Sequence, residues 1–140
     1  MKFEKIISIT LFLFSALILS ACAVNIPDPP PPPGALTLKI KPAFKVNIVQ
    51  ASARQEGADV IVEGQVKRKR IAVRDFITGH IDIEILDEEG KTIRQVVTDC
   101  SPQIIPKSSG VKSSFSARIP MIVSQGSLVS VKFHNGPHDS

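Results

Sequence analysis

Three histidines, two cysteines and one basic run carry the chemistry this sequence offers. His134 and His138 stand four apart in HNGPH, and His80 precedes Asp82 by two within a run of alternating isoleucines. Imidazole nitrogens joined by a carboxylate suit Cu(II) or Zn(II), so His80, His134 and His138 form a candidate metal set, and His80 with Asp82 could approach across strands. Against that, Gly136-Pro137 places His138 in a tail expected to fray. Lys67-Arg68-Lys69-Arg70, followed by Arg74, sets five cations in eight positions. On a strand, alternate members of such a run face opposite ways. In a loop or on an edge strand they gather into a patch for anionic lipid, polysaccharide or an acidic protein. Protection of a sheet edge is the competing role.

Cys22 and Cys100 lie in different contexts and are read separately. Cys100 follows Asp99 and precedes Ser101-Pro102 at the expected end of a strand, with no CxxC to support redox chemistry. It reads either as a small buried hydrophobe or as an odd thiol available for an intermolecular bridge. Asp87-Glu88-Glu89 lacks the ligand spacing of a calcium loop and reads as a solvated turn. The chain contains no G-x-S-x-G, no His-Glu-x-x-His and no phosphate-binding glycine loop. A non-enzymatic role is expected, without a cofactor. A small hydrolase of unknown type is the catalytic alternative.

These residues must be positioned by a chain of 140 residues, enough for one domain. The formal charge is +4, and it falls to +3 when residues 1–21, with Lys2, Lys5 and Glu4, are removed. So small an excess does not point to nucleic acid. Lys2 and Lys5 precede the apolar run Ile6–Leu19, IISITLFLFSALIL. The run is long enough for a signal-peptide core and short for a helix crossing roughly 30 Å of hydrocarbon. After it, residues 22–35 include six prolines between Pro27 and Pro33, which favour polyproline II and a stiff stalk of roughly 20 Å. A PxxP ligand is the other use of such a segment.

Residues 36–135 alternate with period two, which predicts strands. Leu36, Leu38 and Ile40 form one row, and Phe44, Val46 and Ile48 another. Val60, Val62 and Val66 flank Gly64, which signals a bulge or a close backbone approach. Ile81, Ile83 and Ile85, then Phe115, Ala117, Ile119 and Met121, and finally Val129, Val131 and Phe133 complete the pattern. Asp87 to Gly90 is a hairpin turn joining strands 80–86 and 91–98. The expectation is all-β: a two-sheet antiparallel β-sandwich, immunoglobulin-like, of about seven strands. A small β-barrel is the alternative. Helix is expected only as a turn or two around Ala51–Arg54, and residues 136–140 form a tail.

Leu19-Ser20-Ala21-Cys22 resembles the lipobox of bacterial lipoproteins. That resemblance implies cleavage after Ala21, a diacylglycerol thioether on Cys22 and acylation of the new amino terminus, palmitate being a typical chain. Several acyl chains on one residue hold a protein firmly to a membrane. Ala23, where Asp would favour inner-membrane retention, implies an outer-membrane address facing the periplasm. In the domain, Val-x-Gly-x-Val at 62–66, the Asp-x-x-Gly turn and Phe-x-x-x-x-Pro at 115–120 resemble small β-sandwich envelope lipoproteins. Among these are the pilotin-like proteins that chaperone secretin subunits of secretion systems. The expected function is a membrane-anchored periplasmic lipoprotein that binds or helps assemble another envelope protein. The basic set Lys67, Arg68, Lys69, Arg70 and Arg74 is its candidate surface. A periplasmic Cu/Zn-binding lipoprotein is the alternative.

Overall fold

The computed structural model describes residues 33–72, 76–107 and 110–136, all within one compact unit spanning Pro31–Ser140. Cys22 and residues 1–21, read from the sequence as a lipobox and signal, most of the proline-rich segment, Arg74, His138 and residues 137–140 lie outside the described residues. Seven strands follow one another: β1 (Thr37–Lys41), β2 (Val46–Glu56), β3 (Asp59–Arg68), β4 (Thr78–Leu86), β5 (Thr92–Ile104), β6 (Ser113–Pro120) and β7 (Leu128–His134). The all-β class and the strand number agree with the alternation in the sequence.

The strands pair as one mixed sheet in the order β1-β7-β4-β5-β6-β3-β2. Its two edges come together, because Leu36 N–H donates to Ala53 O at 2.9 Å and Gln55 N–H donates to Gly34 O at 2.8 Å. The result is a nearly closed barrel rather than two separate sheets. It is not antiparallel throughout either, since β1 runs parallel to β7. One seam is thin: β5 pairs with β4 along most of its length, while its backbone pairing with β6 among the described residues is Ser101 opposite Ser114, supplemented by Thr98 Oγ1 donating to Ser116 O at 3.0 Å. The segment Ala51–Arg54, read from the sequence as a helical turn, lies inside β2. Its alternation is real but broken by a register shift between Val49 and Ser52, and an irregular strand mimics a turn in sequence. The 3-10 turn of the described residues is Arg70–Ala72 instead.

The interior is built from β-branched rows. Val60, Val62, Val66, Ile81, Ile83, Ile85, Val129 and Val131 are fully buried, and each such side chain contributes about 1.5–3 kcal/mol on leaving water. Phe44, assigned by alternation to the row of Val46, lies in the β1–β2 connection and is 78% exposed. Gly64 does mark a close approach. A Cβ there would stand 2.6 Å from Phe115 Cζ and 3.0 Å from Ala51 Cα, where the bulge of β2 leans over β3. Outside, Arg54 and Arg118 pair with Glu63 and Asp59 at 2.7 and 2.6 Å, alongside the outward-facing, buried Ile61. At the hairpin, Asp87 Oδ1 accepts from Lys91 N–H at 2.8 Å and Glu89 N–H at 3.1 Å, while Gly90 takes φ 82°.

Cys100 sits within β5, not at its end, and is part of the core at 3% exposure. Burial, with the neighbouring Asp99 carboxylate adding to it, pushes its thiol up to about 11. Two predictions follow from this packing. Gly64→Ala should destabilise the fold by about 1–3 kcal/mol in urea unfolding, with part of the loss recovered in Gly64→Ala/Phe115→Leu; equal losses in the single and double variants would contradict the contact. The raised thiol favours the protonated folded state, so its contribution is complete below the unfolded thiol's ordinary value and drains away as pH rises towards 11. Relative to Cys100→Ala, the native chain should lose about 2–3 kcal/mol of stability across that alkaline window, and a constant difference would contradict the assignment.

Candidate functional site

The strand directions give the barrel two unlike ends. The chain enters β1 at the end formed by the β2–β3 turn, the β4–β5 hairpin and the β6–β7 connection. That end carries Glu56, Asp59, Asp87, Glu88 and Glu89. The far end is formed by the β1–β2, β3–β4 and β5–β6 connections. Their described residues include Lys45, Lys69, Arg70, Lys107 and Lys112, and neither Asp nor Glu. Among the described residues the far-end connections carry cations alone, whereas the entry end sets its acids beside Arg54, Lys91 and Arg118.

At the far end Lys67, Arg68, Lys69 and Arg70 line a cleft of about 600 Å³, together with Asn47, Lys107 and Gly110. The run does not protect a sheet edge, because β3 lies between β6 and β2. Alternation divides it as the period of a strand requires. Arg68 turns inward at 8% exposure. Its Nη1 donates to Ala72 O at 2.9 Å and its Nη2 to Ile105 O at 3.1 Å. One guanidinium thus ties the 3-10 turn to the start of the β5–β6 connection. Lys69 Nζ donates to Ala43 O at 2.7 Å, and its N–H to Lys45 O at 2.9 Å, which fixes the β1–β2 connection.

Two cations of the run are therefore structural, and Lys67 and Arg70 remain directed at solvent. Lys107 joins them from the β5–β6 connection, brought in by the bond from Ile105 N–H to Ile77 O at 2.8 Å. Among the described residues, no carboxylate forms an ion pair with Lys67, Arg70 or Lys107. Apolar groups border the cleft. Lys107 Nζ lies 4.6 Å over the Phe76 ring, Phe76 is 78% exposed, and Ile71 beside Arg70 is exposed as well. A basic slot with an apolar rim suits a ligand that is acidic and partly apolar. Sequence spacing pointed to the run but not to Lys107, which is remote along the chain and joins through the barrel's register.

A second cluster occupies the outer face of β4 and β7. His80 is opposite His134, and Asp82 is opposite Lys132. His80 and Asp82 share a strand and a face, rather than meeting across strands. The His80 and His134 rings stack, with centroids 5.2 Å apart and planes within 8°. His80 Nε2 is 3.3 Å from Asp82 Oδ1, and His134 Nδ1 is 3.5 Å from Asp82 Oδ2. The structure brings together two of the three sequence-selected histidines and Asp82, the carboxylate already paired with His80 in the sequence, which is buried at 7% exposure. Asp99 is the other cross-strand neighbour of His80.

No known protein family matches the chain, and neither a curated protein nor a solved structure matches it. The role of Arg68 is directly testable. Arg68→Met keeps the stem but strips Ala72 O and Ile105 O of their donor, and should cost about 1–3 kcal/mol in urea unfolding. Unchanged stability would show that the guanidinium does not hold the far end together.

Proposed function

We propose that this chain is a lipid-anchored envelope lipoprotein. In this reading its barrel is a non-catalytic docking module that takes an acidic, partly apolar segment of another envelope protein into the cleft at its far end. The observation that carries the reading is the cleft itself: Lys67, Arg70 and Lys107 converge without a counter-charge among the described residues, beside exposed Phe76 and Ile71. Like charges gathered in this way repel one another, and an acidic ligand relieves that repulsion.

The anchoring half of the reading rests on Leu19-Ser20-Ala21-Cys22 and on the positive and apolar residues before it. Ala23 favours the outer membrane, with the domain in the periplasm. The described chain enters β1 at one end of the barrel, and the basic cleft lies at the other. A protein segment also matches the mixed lining better than a polysaccharide does, because the apolar rim has something to cover.

Two experiments test the two halves. Growth with an alkyne-bearing palmitate analogue should label the wild-type chain and leave Cys22→Ala unlabelled; equal labelling would contradict the lipobox. A photo-crosslinking residue at Arg70 should capture one dominant envelope protein in cells. Lys67→Glu with Lys107→Glu should then lower its yield about tenfold, with unfolding unchanged, since rim charges act on encounter and are screened by salt. Undiminished capture would contradict docking at the cleft.

A further inference from the structure

We propose that His80, Asp82 and His134 form a binding site for one divalent ion of the zinc and copper(II) class, independent of the basic cleft. Their donor atoms all lie within 4.8 Å of one another. Donors held tetrahedrally at 2.0–2.2 Å from a common ion stand roughly 3.3–3.6 Å apart. The carboxylate oxygens of Asp82 already stand 3.3 Å from His80 Nε2 and 3.5 Å from His134 Nδ1. Two imidazoles and a carboxylate are ligands for zinc or copper(II) and poor ones for magnesium or calcium, which prefer oxygen alone.

The fold sets this spacing. Cross-strand register puts His80 opposite His134, and Gly79 lets β4 and β7 close together there. A Cβ at Gly79 would fall 2.2 Å from His134 O and 2.5 Å from Phe133 Cζ. Asp82 is buried on the same face, so its carboxylate is held in place. In the structure the two rings are parallel, and an imidazole lone pair lies in its ring plane. Coordination by both therefore requires one ring to turn about its Cβ–Cγ bond, out of the stack. Lys132, opposite Asp82, is exposed and can swing its ammonium away. A cleft of about 250 Å³ beside His80, lined by Thr78, Asp99 and Gln103, has room for water as a further ligand.

The test uses the full-length chain in detergent, stripped with a chelator and titrated calorimetrically with zinc, copper(II) or magnesium chloride. One equivalent of zinc or copper(II) should bind and magnesium should not. Asp82→Asn and His134→Gln should each weaken binding about tenfold or more, and His138→Gln should leave it unchanged. The imidazole proton resonances of His80 and His134 should shift together as the ion enters. If His80→Gln or His134→Gln fails to fold, Asp82→Asn, which preserves shape, carries the test. Absence of stoichiometric binding, binding unaffected by Asp82→Asn, or binding lost with His138→Gln would each overturn the proposal.

Discussion

A sheet with two free edges must either hide them or leave backbone donors and acceptors open to other chains. Here the edges find each other. Leu36 and Gln55 donate to Ala53 and Gly34 across the gap between β1 and β2, and everything else follows from that closure. Closing the sheet turns one face of every strand inward and gives the rows of Val and Ile a common interior. It also gathers the connections at two rims. A flat sheet of the same strands would have spread Lys67, Arg70 and Lys107 along a line. Curvature brings them around one mouth.

The far rim is held by cations that no longer act as free charges. Arg68 donates to carbonyls of two connections, and Lys69 binds a third. Burial of a guanidinium without a carboxylate is costly, and the backbone carbonyls here supply only part of the compensation. The remaining positive field opens into the cleft, next to Lys67, Arg70 and Lys107. The cations bound to backbone carbonyls and those facing the cleft are therefore neighbouring members of a single run, divided by the two-residue period of β3.

Much of this was legible in the sequence. Alternation located the strands, because a half-buried strand can hardly be built otherwise, and Asp87 with Gly90 named its own turn. Gly64 announced a close approach, and Phe115 proved to be the group that approaches. What failed did so where local pattern and global register part. Ala51–Arg54 looked helical because the bulge of β2 breaks its alternation. Phe44 kept the period but lay beyond the end of β1. The sandwich expectation missed the edge closure, which rests on backbone bonds that side chains do not encode, and the parallel pairing of β1 with β7. At the sites, the basic run and two histidines were visible as residue types. Lys107 and the placement of Asp82 beside both stacked rings depend on which strands become neighbours, and only the fold supplies that.

The central claim is that the far rim, not the acidic entry end, meets another molecule. Amide hydrogen exchange reads both rims at once, in native envelope membranes and in the purified chain. The account predicts that membranes slow exchange in 67–72 and 105–107 and leave the Asp87–Lys91 turn unchanged. Slowing confined to the Asp87–Lys91 turn, or equal exchange in both preparations, would contradict it.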